Sequence, residues 1–553
     1  MTTATRDADL ILHNGLITTL SSDETVPAET TAIALRGDRV LAVGSDAELE
    51  AAHRGPSTRM VDLEGRRVVP GLIDSHVHFV RAGRTWNDEV RWEDVYDLAD
   101  GLAAITARAA EIGPGRWIRV IGGWDERQFA GGRGPSRAEL DAAAPQNPVY
   151  VQMQYSYAVF NTLGMTELGL DEAGVAASPD PAGFERDETG ALTGRGDGMP
   201  LMTWFYAKLP APTLAEQTAS TAALSVEFAR LGMTGAIDGG GVNTGPSAYG
   251  PIHGAWRDGE LKTRVRLFKH STAEGTEDED FAGYLRFESP GFGDDVLRMS
   301  GMGEVILFRS HDRIAAPGDV SDEAMAETKA LFLRFAERGW AVQVHVHQRE
   351  YFLRLLDVME EVHRVHPIDE LRWGFVHAES TYAEDIPRLR ALGIGMLFQS
   401  LLRLNGEEAI AVWGAERVAR SPELRDLLDA GIPVGLGSDA MRVASYNPWS
   451  SLEWFLTGLT VTGTPTLAAP HLISREEALR GYTHGGAWFT REEELRGRLV
   501  PGQLADLAVL SDDYFTIPVE EIRHLSSVLT LLGGEPVWDG AGLLSGAHEP
   551  VTS

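Results

Sequence analysis

The chain of 553 residues contains no cysteine. That one absence removes disulfides, thiolate metal ligands and cysteine nucleophiles together. Long apolar runs are missing as well. No stretch approaches the roughly 20 uninterrupted apolar residues that a membrane span needs. Basic residues are in deficit: Lys and Arg number 49 against 81 Asp and Glu, a net charge of −32. Phosphates would be repelled rather than bound, which argues against nucleic acid, and docking on an anionic membrane is disfavoured too. A strongly acidic exterior is the ordinary property of a soluble protein. The segment from Met1 to Asp7 lacks the basic-then-apolar layout of a signal peptide, so a cytoplasmic enzyme is the expectation.

What is present reads as a globular protein, 43% hydrophobic and 24% charged. Its length is too great for one compact core, which predicts two lobes or a large domain with insertions. Short strands punctuated by Gly-Asp and Asn-Gly steps open the chain, at Leu10 to His13, Leu16 to Leu20, Thr31 to Arg36 and Arg39 to Gly44. The C-terminal end has the same texture, at Asp506 to Leu510, Ser527 to Leu532 and Glu535 to Trp538. Between them, short apolar runs alternate with amphipathic helical stretches such as Glu323–Arg338 and Tyr351–Val365, the pattern of parallel βα units. The candidate strands are Leu72–His78, Gly235–Asp238, Arg264–Phe268, Val305–Phe308, Val342–His347, Arg372–His377, Ile394–Phe398 and Val434–Asp439. Eight is the number that a closed (β/α)8 barrel requires. The expected architecture is an α/β chain: a distorted TIM barrel over residues 70–495, with an insertion at about 84–210, and a small composite β-sandwich from residues 1–69 and 496–553.

Chemistry-bearing residues sit at the ends of these strands. His76 and His78 close the first, two positions apart, so period-2 geometry puts both imidazoles on one face. A lone His-x-His is weak evidence for a metal. Here His345, His377 and Asp439 close three further apolar runs. Active sites of such barrels lie at the carboxyl ends of the strands, so all five converge there. Buried histidines and an aspartate are costly unless paired or bound to metal, and together they form an N/O site suited to zinc, manganese or iron.

The pattern Pro70-Gly71-Leu72-Ile73-Asp74-Ser75-His76-Val77-His78, then His345, His377 and Gly437-Ser438-Asp439, resembles the metal motifs of the amidohydrolase superfamily. The stretch Gly497-Arg498-Leu499-Val500-Pro501-Gly502-Gln503-Leu504-Ala505-Asp506 is similar to the one with which many members return to their β-sandwich. Trp117 to Asp125 and the Leu140-Asp141…Pro145…Pro148-Val149 run before Asn161 are most similar to the amidohydrolase-3 branch, which includes N-substituted formamide deformylases. The resemblance implies that His76 and His78 bind one divalent metal and His345 and His377 a second, two Zn2+ per chain with Mn2+ or Fe2+ as alternatives. It implies that Asp439 binds metal and takes the proton from water, as catalytic base and then acid. Many relatives bridge their metals with a carboxylated lysine on the fourth strand. None of the four lysines here, Lys208, Lys262, Lys269 and Lys329, lies at the matching place; Glu304 does. Its Gly-Glu-Val step resembles the adenine deaminase branch, where glutamate bridges two metals. The plain alternative is a capping glutamate at a strand start beside a mononuclear site.

Two departures from the family pattern fall where the substrate pocket is expected. After His345 the chain reads Val346-His347-Gln348-Arg349-Glu350 where relatives carry a small-residue run with Gly-Asp. The segment Tyr155 to Phe160 lacks the histidine that relatives place before the asparagine matching Asn161. The substrate is therefore expected to differ from those of better-known relatives. Candidate substrate contacts are Trp124, Tyr155, His270, His311, Arg313, His347 and Gln399, each with a plain structural alternative. His484 reads as structural, and His13, His53, His253, His363, His366, His471, His524 and His548 show no ligand-like context. The expected activity is hydrolysis of a C–N bond in an amide or N-acyl small molecule by metal-activated hydroxide, capped by an insertion that favours an apolar substituent. Deamination of a heterocycle is the rival, and a non-catalytic metal-containing binding protein stands behind both. The resemblance also suggests a homodimer, since dimers are common among relatives.

Overall fold

The computed structural model describes residues 7–241 and 244–544, and the statements below concern these residues; His548 lies outside them. Eight parallel strands follow one another around a barrel: β1 (Leu72–Val77), β2 (Met233–Asp238), β3 (Arg264–Lys269), β4 (Leu297–Met302), β5 (Ala341–Val346), β6 (Gly374–His377), β7 (Gly395–Gln399) and β8 (Val434–Gly437). All but β4 are buried along their whole length, as near-continuous apolar runs covered on both faces require.

Strand-to-strand ladders run from β1 to β8, and side chains and loops close the remaining seam. The Asp439 N–H donates to the His76 carbonyl at 2.9 Å and the His78 N–H to the Ala440 carbonyl at 3.1 Å. Inside the seam the Asp74 carboxylate accepts from the Ser438 hydroxyl at 2.6 Å and the Ser438 N–H at 3.0 Å. The seam thus joins directly the two strand ends that carry His76, His78 and Asp439.

The fourth strand is Leu297–Met302 and not the apolar run Val305–Phe308, which forms a loop and a short 3-10 turn at Phe308–Ser310. Arg298 and Ser300 interrupt the apolar pattern of the true strand, whose burial alternates. Val305, Ile306 and Leu307 are buried against the barrel without joining its ladder. Between the two, Gly303 takes φ +128°, and a Cβ there would lie 1.8 Å from the Gln343 carbonyl oxygen. Only glycine fits, and the turn it makes carries Glu304 over the carboxyl end of the barrel. Glu304 therefore follows β4 rather than starting a strand.

Where the strands begin, the barrel is plugged by Phe489. A Cβ on Gly374, Gly395 or Gly435 would come within 2.7–2.9 Å of its ring, so glycines in three neighbouring strands make room for one aromatic side chain. Beyond this end lies the β-sandwich. Its sheets run Arg39–Gly44, Ala32–Arg36, Leu10–His13, Arg59–Asp62 and Glu535–Asp539, Ser527–Leu532, Leu507–Leu510, Arg67–Pro70, Leu16–Thr18, Glu29–Thr30. Leu12, Ile33 and Val61 from the first share a core with Ile17, Val68, Leu507 and Leu529 from the second. Between β1 and β2 the chain builds a separate five-stranded sheet, in the order Phe184–Arg186, Leu192–Asp197, Tyr157–Phe160, Val149–Met153, Ile118–Ile121.

Candidate metal centre

All six anticipated ligands meet at the carboxyl end of the barrel. Glu304 is central: its Oε2 lies 3.3 Å from His76 Nε2, 3.3 Å from His345 Nδ1 and 3.6 Å from His377 Nε2. Its other oxygen lies 3.5 Å from His78 Nε2. Asp439 faces the same cluster, with Oδ1 3.0 Å from His78 Nε2 and Oδ2 3.8 Å from His377 Nε2. His76 is wholly buried and the others nearly so.

The outer partner of each ring sets which nitrogen is bare. His76 Nδ1 faces Gln343 Oε1 at 3.2 Å and His78 Nδ1 the Gly240 carbonyl at 3.0 Å, which turns both Nε2 atoms inward toward the carboxylates. His345 is turned the other way. Its Nε2 donates to the Asp312 carbonyl at 2.8 Å, so Nδ1 points inward. His347 is held by Glu379, whose Oε2 lies 2.8 Å from Nδ1, and its ring stacks on His377 at 4.5 Å. Potential ligand atoms form three groups within one ion's reach: His76, His78 and Glu304; His76, His377 and Asp439; and His345, His347 and His377.

Both His377 and Asp439 hold left-handed backbone, at φ +68° and +61°. Such conformations cost non-glycine residues about 1–3 kcal/mol and persist where the surroundings dictate them. Here they aim strand-end side chains inward. Electrostatics tell the same story. Burial would raise the Glu304 carboxyl, yet the charge of His76 and hydrogen bonds to His345, His377 and His76 hold it well below the usual carboxylate range. Burial would lower His76, but Glu304 and Asp439 raise it to about 9. The cluster is thus built to hold positive charge. His76 Nε2 is buried without a well-aligned hydrogen-bond partner, as a nitrogen meant for a metal would be. The donor set, imidazole nitrogens with two carboxylates, fits a divalent cation.

A cavity of about 250 Å³ opens onto the cluster, lined by His78, Glu304, His345, His377 and Asp439 together with Tyr155, His311, Arg313 and His347 from the anticipated contacts. Three other anticipated contacts lie elsewhere. Trp124 is buried in the inserted region's own core, its ring against Trp92 and Phe129. Gln399 accepts a hydrogen bond from the His377 N–H at 3.0 Å, a position behind the ligand. His270 is buried, with its ring 6.3 Å from that of Phe308, outside the cavity wall. The inserted region does wall the cavity, through Gln154, Tyr155, Ser156 and Met199, a more polar set than its tryptophans suggest.

Sequence reasoning missed Asp312, Glu379 and Arg81. Glu379 follows His377 by one strand period, and Arg81 follows His78 by one helical turn; those offsets were the available signal.

A family model described as the amidohydrolase family matches residues 59–538. The N-substituted formamide deformylase of Arthrobacter pascens is 25% identical, across 96% of this chain and 98% of its own. Among solved structures, a metal-dependent hydrolase from Pyrococcus furiosus superposes with a TM-score of 0.64 at 21% identity, covering 92% of this chain and all of that one. An atrazine chlorohydrolase from Arthrobacter aurescens, complexed with zinc, superposes at 0.52 with 15% identity, covering 98% and 97%.

Proposed function

Because the chain belongs to the amidohydrolase family, we propose that it hydrolyses a C–N bond in an amide or N-acyl compound, with Asp439 as the group that moves the proton. The observation that carries this reading is the Asp439 carboxylate, fixed between His78 at 3.0 Å and His377 at 3.8 Å and lining the cavity. His76, His78 and Asp439 would hold one divalent ion, and His345 and His377 a second, with His347 as a further nitrogen donor and Glu304 between the two sets. Zinc, with which the chlorohydrolase is complexed, suits these donors. When bound, such an ion supplies Lewis acidity, acidifying water and polarising a carbonyl.

The protein's own part is positioning and proton transfer. Asp439 accepts a proton from the attacking water as its oxygen joins the carbonyl carbon. It then returns that proton to the leaving nitrogen as the C–N bond breaks, so that an acid and an amine depart. The outer partners Gln343, Asp312 and Glu379 hold the imidazoles in register meanwhile. The test is a panel of N-acyl compounds scored for amine release, with Asp439→Asn alongside. Turnover should fall by about 10²–10⁴-fold in the variant. Ammonia as the sole nitrogen product would favour a deaminase instead, and no turnover across the panel by metal-loaded protein would overturn the reading.

A further inference from the structure

We propose that Arg81, backed by Tyr155 and Arg442, is an anion subsite, and that the substrate carries a carboxylate or similar anionic group beside the bond that is cleaved. This rests on the hydrolytic reading above. Both arginines are more than nine-tenths buried, at 4% and 3% exposure, and among the described residues neither forms an ion pair. Arg81 Nη1 donates to the Tyr155 hydroxyl at 3.1 Å and Arg442 Nη1 to the same oxygen at 3.3 Å. Two guanidinium groups thus share one neutral acceptor. Arg442 also packs over the Tyr206 ring at 4.1 Å, and its buried Nη2 has no hydrogen-bond partner among the described residues.

Buried charge is costly unless it is paired. On the far side Glu89 lines a small gap with both arginines but is committed to Thr85 and Arg91. Asp439 and Asp238 feel the Arg81 charge without touching it, so among the described residues no carboxylate contacts either guanidinium, and a carboxylate ligand would do so with charge-assisted hydrogen bonds. Position makes that ligand a substrate. Arg81 stands one turn after His78, Arg442 three residues after Asp439, and Arg81, Tyr155, His78 and Asp439 line one cavity. A Cβ on Gly241 would lie 2.6 Å from His78 Nδ1 and 3.1 Å from Arg81 Nη1, so ligand and arginine are about one side chain apart. Tyr155 registers the positive field: burial would raise its phenol, but Arg81 and Arg442 hold it below its usual value.

The test uses the metal-loaded full chain and a matched set, the N-acetyl derivatives of glycine, alanine and phenylalanine beside their C-terminal amides. Each is titrated calorimetrically and offered as substrate. At least one acid should bind about 10-fold or more tightly than its amide. Arg81→Met should abolish the advantage, and Arg81→Lys should restore part of it, with metal content by elemental analysis unchanged in both. Acids and amides binding alike, no acid binding at all, or an advantage that survives Arg81→Met (a carboxylate on the metal alone) would each overturn the subsite. Arg81-dependent binding of acids without turnover of any compound keeps the subsite and removes the hydrolytic reading; turnover of acids and amides alike does the reverse.

Discussion

The two ends of the barrel treat buried charge in opposite ways. Where the strands begin, Glu492 accepts from Arg266 Nη2 at 2.7 Å, Arg496 Nη2 at 2.6 Å and Thr490 Oγ1 at 2.8 Å, with Arg298 at 3.4 Å. Its cations are guanidinium groups, which never titrate in proteins. Where the strands end, Glu304 and Asp439 face imidazoles instead, whose charge is conditional. One end is a permanent structural knot. The other gathers His, Glu and Asp donors suited to a divalent cation, and on the proposed reading the contrast separates residues that hold the fold from residues that do its chemistry.

The largest effect that sharpens this contrast is Glu492→Ala. It strands Arg266 and Arg496 without their carboxylate and should cost about 3–5 kcal/mol, read by urea denaturation, while metal content stays at the wild-type level. Loss of metal in that variant would break the comparison. Chelation is the converse perturbation. If the cation is held at about 100 times its dissociation constant, its removal should lower stability by about 2.7 kcal/mol. Combined with Glu492→Ala, it should add to within about 0.5 kcal/mol, because the two ends share no partners.

Glu379→Gln should weaken metal affinity by about 10–100-fold, measured by competition with a chromogenic chelator, since it loosens His347 without removing a first ligand. An unchanged affinity would make His347 a bystander of the metal. The Glu492 cluster also has a pH dependence. Burial raises Glu492, but Arg496 and Arg266 outweigh it and hold its folded pKa far below the usual 4.5. Its contribution is therefore fully present above the ordinary carboxylate range and is lost as pH falls through that range and below. Denaturation midpoints followed downward from neutral pH should show this acid limb in the wild type and a flatter one in Glu492→Gln.

Much of the barrel was legible because its strands are continuous apolar runs that end in polar residues. His76, His78, His345, His377 and Asp439 all stood at such ends. The fourth strand was misread because the cue is burial, not ladder membership: Val305–Leu307 is buried as a loop, while Arg298 and Ser300 mask the strand. Glu304 was still found, since its place after Gly303 depends on chain order rather than on the strand boundary. Arg81 and Arg442 were not found. An arginine in a sequence reads as solvated, so the one-turn offset of Arg81 from His78 was a weak cue, and the fold shows that these two are buried around one tyrosine hydroxyl. Trp124 shows the reverse error, an aromatic near the expected pocket that fills a core of its own.

The central claim is that Glu304 stands between two sets of metal ligands. Elemental analysis of purified wild type and Glu304→Ala tests it most directly. The account predicts about two divalent ions per chain, falling to one or none in the variant. One ion in both proteins, or none in the wild type, would contradict it.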